Sequence, residues 1–388
     1  MIRNAWFAFL PISALALLMT GACDPQLPTK PTNPGPIVDP NDPNNPGTNA
    51  STQEYGLLSL NLHCLKLDFA GSTFTSNRER MAAIADAMAA EKVHAAALQE
   101  VCRTTKEDAL GMLVEELARA TGQAWAAQRK DTHIAFQGTP DEADEGIAVV
   151  AQGAFADTNV VEYFEQGLLT RRMLGATLAN VRSLKLYSVQ FEDFDSTVRT
   201  SQARQSAVAA VTLSDPSLDV AVAGDFNASE GSEAYLAMKA YGFSDFTATL
   251  TSNRIDHVFM HRGAAFEVLS RKIIFDGTTY PAVTDHIGGM LIKIRPRTVV
   301  ALPRTRLTLT KDVGVGSYIA VRGDTAPLTW NYGWPALNVT SNTWTIVLTE
   351  IPSATAFEYK CYCNDTLYQQ GANLVGTGGQ DMSATPIF

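Results

Sequence analysis

The sequence predicts a mixed α/β sandwich followed by a small all-β module. Three observations carry this. Between about residues 54 and 295, short apolar strand patterns alternate with helical ones. Several of those strand patterns stop abruptly on a polar residue. Beyond residue 307, short alternating strands and turn residues continue with no helical pattern. A chain of 388 residues, 46% of them hydrophobic, has room for about two domains and enough apolar surface to bury a core.

Ahead of the sandwich lies a targeting segment, residues 1–23. Arg3 precedes an apolar run from Ala5 to Ala22 that leads into Thr20-Gly21-Ala22-Cys23. The run is at the short end for a membrane span, which needs about 20 residues. It resembles a bacterial lipoprotein leader, with Cys23 lipidated; Thr20 stands where such leaders usually carry Leu, which leaves ordinary secretory cleavage as the alternative. Either way the expected address is the bacterial cell envelope or the exterior. Residues 24–53 are rich in Pro and Asn, and prolines at nearly every third position forbid helix and strand alike. This stretch reads as a tether.

Within residues 54–295, "YGLLSLNL" is strand-like and "NRERMAAIADAMAAE" repeats apolar residues at Met81, Ile84, Ala85 and Met88. "AAALQEV" is again a strand. "TTKEDALGMLVEELARATG" places Leu110, Leu113, Val114 and Leu117 on one helical face, with Thr104 or Thr105 as its expected start. Later strands are "EGIAVVAQ", "RMLGATLANV", "LKLYSVQF", "LDVAVAGDF", "IDHVFMH" and "DHIGGMLIKI". Cys64 follows the first strand and Cys102 ends the second, so a bridge between neighbouring strand ends is expected in an oxidising compartment. No further Cys or His pair stands at zinc-site spacing.

The polar strand ends are the informative feature. "DVAVAGDFNAS" runs through small apolar residues and stops on Asp225 and Asn227, two positions apart and so on one side of a strand. Asn61 interrupts "LSLNLH", Glu100 closes "AALQE", Asp256 sits in "RIDHVFM", and Asp285-His286 opens "DHIGGM". Each alone is an ordinary turn, cap or strand terminus. Their recurrence, in this order, at the ends of apolar strands indicates a site.

The motifs "SLNLHCL", "ALQEV", "DEGIAVV", "RQSAVAAV", "AVAGDFNAS", "RIDHVFM" and "VTDHIGGML" together resemble the endonuclease/exonuclease/phosphatase superfamily, the deoxyribonuclease I-like fold, over about residues 54–295. The resemblance implies a four-layer α/β/β/α sandwich and metal-dependent hydrolysis of a phosphate ester. It implies Glu100 as principal metal carboxylate, with Asn61 and Asp285 completing a site for Mg²⁺, for which Mn²⁺ or Ca²⁺ are substitutes. It implies His286 as general base or phosphate-stabilising imidazole oriented by Asp256, and Asp225 and Asn227 as the groups that align the attacking water and hold the phosphate. Gln190 and Arg204 are the implied substrate-binding residues. In one place the chain departs from the pattern: the family usually carries Thr-His where Val189-Gln190 stands, and a glutamine cannot exchange a proton near neutral pH. His133 lies in the wrong segment to replace it.

Residues 296–306 read as a basic, proline-punctuated linker, and residues 307–388 as a small β-sandwich. "VRGD", "FEYK" and "NDTLYQQGAN" resemble starch-binding-type modules, which implies an α-glucan or other polysaccharide as partner. Trp330 and Trp334, beside glycine and proline in "LTWNYGWP", are expected to be exposed, and Trp344 in "TWTIVL" to be core.

A formal net charge of −10 argues against a tight, sequence-independent grip on a nucleic-acid backbone but leaves room for a nuclease that turns its substrate over. The leading expectation is therefore an exported, metal-dependent phosphodiesterase acting on extracellular DNA or RNA, attached to the membrane only through its lipid, with no oligomer implied. The alternatives are a phospholipid or phosphoinositide phosphodiesterase, sphingomyelinase-like, and a carbohydrate-binding surface lipoprotein whose catalytic fold has decayed.

Overall fold

The computed structural model describes residues 53–181, 184–261, 265–297 and 301–388. The expected leader, its Cys23 and the tether up to residue 52 lie outside them. In chain order the first part contains β1 (Tyr55–Asn61), α1 (Asn77–Ala90), β2 (Val93–Gln99), α2 (Ala109–Thr121), β3 (Trp125–Ala135) and β4 (Ala143–Gln152). There follow β5 (Phe155–Glu162), β6 (Arg172–Leu178), β7 (Leu184–Gln190), α3 (Ser196–Thr212), β8 (Asp219–Asp225), α4 (Glu233–Ala240), β9 (Phe243–Asp245), β10 (Asp256–His261), β11 (Phe266–Ile274) and β12 (Gly289–Pro296).

Two six-stranded sheets result, ordered β11-β12-β1-β2-β4-β3 and β5-β6-β7-β8-β10-β9. Central strands β1 and β7 are buried along their whole length and β8 from its second residue on, because both faces are covered. Leu57, Ala95, Ile147 and Val149 of the first sheet meet Leu174, Leu186, Ala223 and Val258 of the second in one cluster. The alternate residues Leu58, Leu60, Ala96 and Val150 pack under Met81, Ile84 and Met88 of α1 and Leu113 and Leu117 of α2. On the far side, Val189, Val222 and Phe259 pack under α3 and α4.

Helix α1 starts at Ser76, whose side chain accepts from the Glu79 N–H. Helix α2 starts at Asp108, which accepts from Leu110 and Gly111, and ends on Gly122 at φ 66°. This corrects the expected start at Thr104 or Thr105. The Thr104 hydroxyl instead accepts from Lys106 N and Glu107 N and closes a separate turn. The last strand likewise starts at Gly289, so Asp285 and His286 stand on the loop before it.

Residues 305–384 contain only strands. They are β13 (Thr305–Thr310), β14 (Ile319–Gly323), β15 (Trp334–Pro335), β16 (Leu337–Thr340), β17 (Thr343–Leu348), β18 (Ala356–Cys363), β19 (Leu367–Tyr368), β20 (Leu374–Thr377) and β21 (Asp381–Ala384). One sheet runs β16-β17-β13-β21; the other runs β15-β14-β18-β19, with β20 also on β18. Their core is continuous with the layer of α3 and α4: Trp334, Trp344 and Ile346 share a cluster with Ala207, Val211 and Tyr241. Tyr241 donates to the Val347 carbonyl (2.7 Å), and the Thr212 hydroxyl accepts from Val347 N (3.1 Å).

Two expectations are corrected here. Trp334 is fully buried: it donates to the Pro327 carbonyl (2.7 Å), and its ring centroid lies 4.7 Å from that of Tyr241. The pairing of Val321 with Trp334 turns the ring inward, despite the glycine and proline around it. Trp330 keeps 38% of its surface exposed, and Trp344 is buried. Arg204, expected at the phosphate, lies on the face of α3 turned away from the sheet and stacks on Tyr332, 3.8 Å from the ring centroid. Cys361 and Cys363 are free. Among the described residues, no helix is long and apolar enough to cross a membrane.

Candidate active site

Strand direction gathers the polar termini at one mouth. Strands β1 and β2 are parallel and end side by side at Asn61 and Gln99. In the second sheet, Gln190, Asp225 and Asp256 fall in one register across β7, β8 and β10. Gly224 makes that register possible, since a Cβ there would meet the Val189 carbonyl oxygen at 1.9 Å. The loops beyond the strand ends are sharply turned: His63, Cys64, Glu100 and Asn227 all have φ between 47° and 53°. Non-glycine residues in this region cluster where the surrounding structure over-determines them, as at functional sites. A disulfide joins Cys64 to Cys102, Cα atoms 4.8 Å apart, and Cys64 N donates to the Glu100 carbonyl (3.1 Å). The two loops that carry Asn61 and Glu100 are thereby held together.

Asn61 stands between two carboxylates, its Nδ2 2.9 Å from Glu100 Oε1 and 3.4 Å from Asp225 Oδ2. Gln190 Nε2 donates to the same Glu100 oxygen (3.1 Å). His286 pairs through Nδ1 with Asp256 Oδ2 at 2.7 Å, and its Nε2 lies 3.9 Å from Asp225 Oδ2. Asn227 N donates to Asp225 Oδ1 (2.9 Å), and Asn227 Nδ2 donates to the Phe191 carbonyl (2.9 Å). Asp285 is turned to the side, paired with His63 Nδ1 at 3.0 Å. The structure therefore brings Asn61, Glu100, Gln190, Asp225, Asp256 and His286 together, with Asn227 and Asp285 on the rim and Arg204 elsewhere.

The electrostatics follow from crowding acids in a buried mouth. Burial, and then Asp256, push the Asp225 carboxyl up to about 7 against the opposing charge of His286. Burial by itself would lower the His286 imidazole, but the hydrogen bond and charge of Asp256, with Asp225 and Glu100, push it up to about 10. One ligand atom each from Glu100, Asp225 and His286 lies within 4.8 Å of the others. Asp256 Oδ1 and Gln190 Oε1 are buried there with no partner. Excess negative charge and hard oxygen donors on one small volume are what a divalent cation accepts, so the residues fit one.

Sequence reasoning missed a second group of side chains behind Glu100. Glu145 is buried, 3.5 Å from Arg171 and 3.6 Å from His133, and Arg171 also faces Asp193 at 3.8 Å. Burial, then Glu100, push the Glu145 carboxyl up to about 8. Burial, then Arg171, lower His133 to about 4, which leaves the imidazole neutral. His63 was missed as well, although its place two residues after Asn61 in "NLH" was a usable signal.

A family model described as Endonuclease/Exonuclease/phosphatase family matches residues 58–286, a span that takes in every one of these strand ends. The chain belongs to that family. Its members are phosphoric ester hydrolases and commonly use a divalent metal. A family protein from Leptotrichia buccalis C-1013-b is 18% identical, with 62% of this chain and 99% of that chain covered at a TM-score of 0.51; this likeness concerns the fold. A family protein from Beutenbergia cavernae DSM 12333 is 16% identical, over 84% of this chain and 99% of that one, TM-score 0.49. The human Nocturnin catalytic domain with bound sulfate is 14% identical, over 63% and 94%, TM-score 0.47. Among curated proteins no match was found.

Proposed function

We propose that this family hydrolase is an exported, Mg²⁺-dependent phosphodiesterase that cuts nucleic acid. The observation that carries the reading is the convergence of Glu100, Asp225 and His286 beside Asn61 at the mouth of the two sheets. Glu100 is the carboxylate that would hold the cation, with Asn61 and Asp285 at its sides. When bound, the cation neutralises charge on the non-bridging phosphate oxygens. Asp225 is poised to take the proton of the attacking water, with the Asn227 N–H fixing its carboxylate. His286 donates Nδ1–H to Asp256, so its charged Nε2–H faces the phosphate and stabilises the developing negative charge. Gln190 holds Glu100 where the family usually offers a second imidazole.

Export rests on the leader and Cys23, and attachment on the lipid and tether. Trp330, with its partly exposed ring, is the residue through which the C-terminal strands would hold a polysaccharide. One observation favours a lipid phosphodiester as second reading: Leu168 and Phe194, on loops beside the mouth, are 78% and 71% exposed. The test is hydrolysis of supercoiled plasmid, RNA and sphingomyelin vesicles with Mg²⁺ and with chelator. Metal-dependent cleavage of plasmid or RNA is expected. Cleavage of sphingomyelin alone would replace the nuclease reading with the lipid one.

A further inference from the structure

The β3–β4 hairpin builds a cleft against the loops that follow β1 and β2. It encloses about 660 Å³ and is lined by residues that include Cys64, Lys66, Thr104, Lys106 and Phe136. That volume is in the range of sites that hold small molecules. The floor is apolar, made of the disulfide, Ala135 and Ala143, with Leu65 against it. One wall is the Phe136 ring, 43% exposed at the hairpin tip. Phe136 sits at φ 52°, where a bulky side chain is strained, and the tip is held there by its own bonds: Thr139 donates to the Phe136 carbonyl through N (3.0 Å) and Oγ1 (2.7 Å), and Glu142 accepts from Gly138 N (2.7 Å). An aromatic ring is thus fixed in solvent, at a conformational cost, rather than folded away.

The rim carries charge of both signs: Lys66 and Lys106 stand with Glu107, Asp141 and Glu142, of which Glu107 accepts from Asn77 Nδ2 (3.1 Å) and Glu142 from Gly138 N. Lys66 Nζ lies 4.6 Å from the centroid of the Phe136 ring and pairs with Asp141. The Lys106 ammonium forms no ion pair among the described residues, and Thr104 and Thr105 stand beside it. The cleft is tied to the mouth through its inner side: Cys64 and Leu65 follow His63 in the chain, and Cys64 N is bonded to the Glu100 carbonyl.

We propose that this cleft is a nucleoside subsite, in which the base next to the scissile phosphate stacks on Phe136 while Lys106 meets a flanking phosphate. The inference rests on the nuclease reading and names how that substrate is held. Stacking on aromatic side chains accepts any base, so the subsite favours nucleotides over other phosphate esters without reading sequence.

The test is steady-state kinetics of the full chain with Mg²⁺ on the 5′- and 3′-(p-nitrophenyl phosphate) esters of thymidine and on methyl p-nitrophenyl phosphate, beside plasmid nicking. The wild type is expected to show a KM about tenfold lower on one thymidine ester than on the methyl ester. Phe136→Ala should erase that difference with kcat kept, and Phe136→Trp should restore it. Lys106→Gln should raise KM several-fold only when the thymidine ester carries a further terminal phosphate. A wild type that nicks plasmid but shows equal KM values, or a Phe136→Ala variant with unchanged KM, overturns the subsite alone. A wild type that turns over the methyl ester but neither plasmid nor thymidine esters overturns the nuclease reading and the subsite with it.

Discussion

Asp256 Oδ2 lies 2.7 Å from His286 Nδ1, and Asp256 is in register with Asp225 on the neighbouring strand. One carboxylate thus sets both the tautomer and the charge of the imidazole that faces the other. His286→Ala should lower turnover by at least ~10²-fold, as loss of a positioned acid or base does. Asp256→Asn removes the hydrogen-bonded charge that raises His286, so the imidazole titration followed by NMR should fall from about 10 toward the ordinary histidine range. An unmoved titration would mean that Asp256 does not set it.

Cation binding should release protons. Asp225 at about 7 and Glu145 at about 8 are held up by burial and by neighbouring carboxylates, and a divalent charge nearby lowers both. Apparent Mg²⁺ affinity should therefore rise as pH rises from about 6 to 8. Calorimetry in buffers of different ionisation enthalpy would count the protons. Glu100→Gln should remove the binding, and a pH-independent affinity would contradict the electrostatic account.

The Cys64–Cys102 bridge closes a loop with a sequence separation of 38, for which chain entropy gives up to about 4 kcal/mol. Cys102→Ser should lower the melting temperature and also weaken Mg²⁺ binding, because the bridge holds the loops of Asn61 and Glu100 together. Loss of stability with intact metal affinity would make the bridge structural only.

Asp245 is buried between His257 Nδ1 (3.1 Å) and Arg254, and His257 Nε2 is 2.9 Å from the Ala228 carbonyl, on the loop after Asn227. Burial works to raise the Asp245 carboxyl, and the His257 bond and charge, Thr247 and Arg254 overcome it, holding the group at about 2. A carboxyl lowered on folding adds stability that is present above its unfolded value near 3.8 and lost as pH falls through about 2. Asp245→Asn should cost about 2 kcal/mol or more at pH 6, and the gap to the wild type should close on acidification below 4. Denaturant unfolding at several pH values measures this.

Much of the fold and the core of the site was legible because it depends on period and direction. Strands that end at or next to Asn61, Glu100 and Asp225, and one that starts on Asp256, needed only a parallel neighbour for β1 and β2 and an antiparallel one for β8 and β10 to bring those residues to one end of their sheets. Features that depend on packing partners were not legible. Arg204 sits in a family-like motif, yet its guanidinium stacks on Tyr332, a partner more than a hundred residues away. The ring of Trp334 is turned inward by a two-residue strand and covered by Tyr241. Glu145 and Arg171 meet only when β4 and the start of β6 come from different sheets to one end of the sandwich. Edge strands β5 and β11, half exposed and punctuated by polar residues, carried too weak an alternation to stand out.

The most direct test of the central claim is nicking of supercoiled plasmid by the purified wild type and by Asp225→Ala, each in Mg²⁺ and in chelator. Metal-dependent nicking by the wild type, lost in Asp225→Ala while that variant keeps its fold, is the predicted result. Nicking that persists in Asp225→Ala or in chelator would contradict the mechanism. A wild type that leaves plasmid intact under every metal would contradict nucleic acid as the substrate of this mouth.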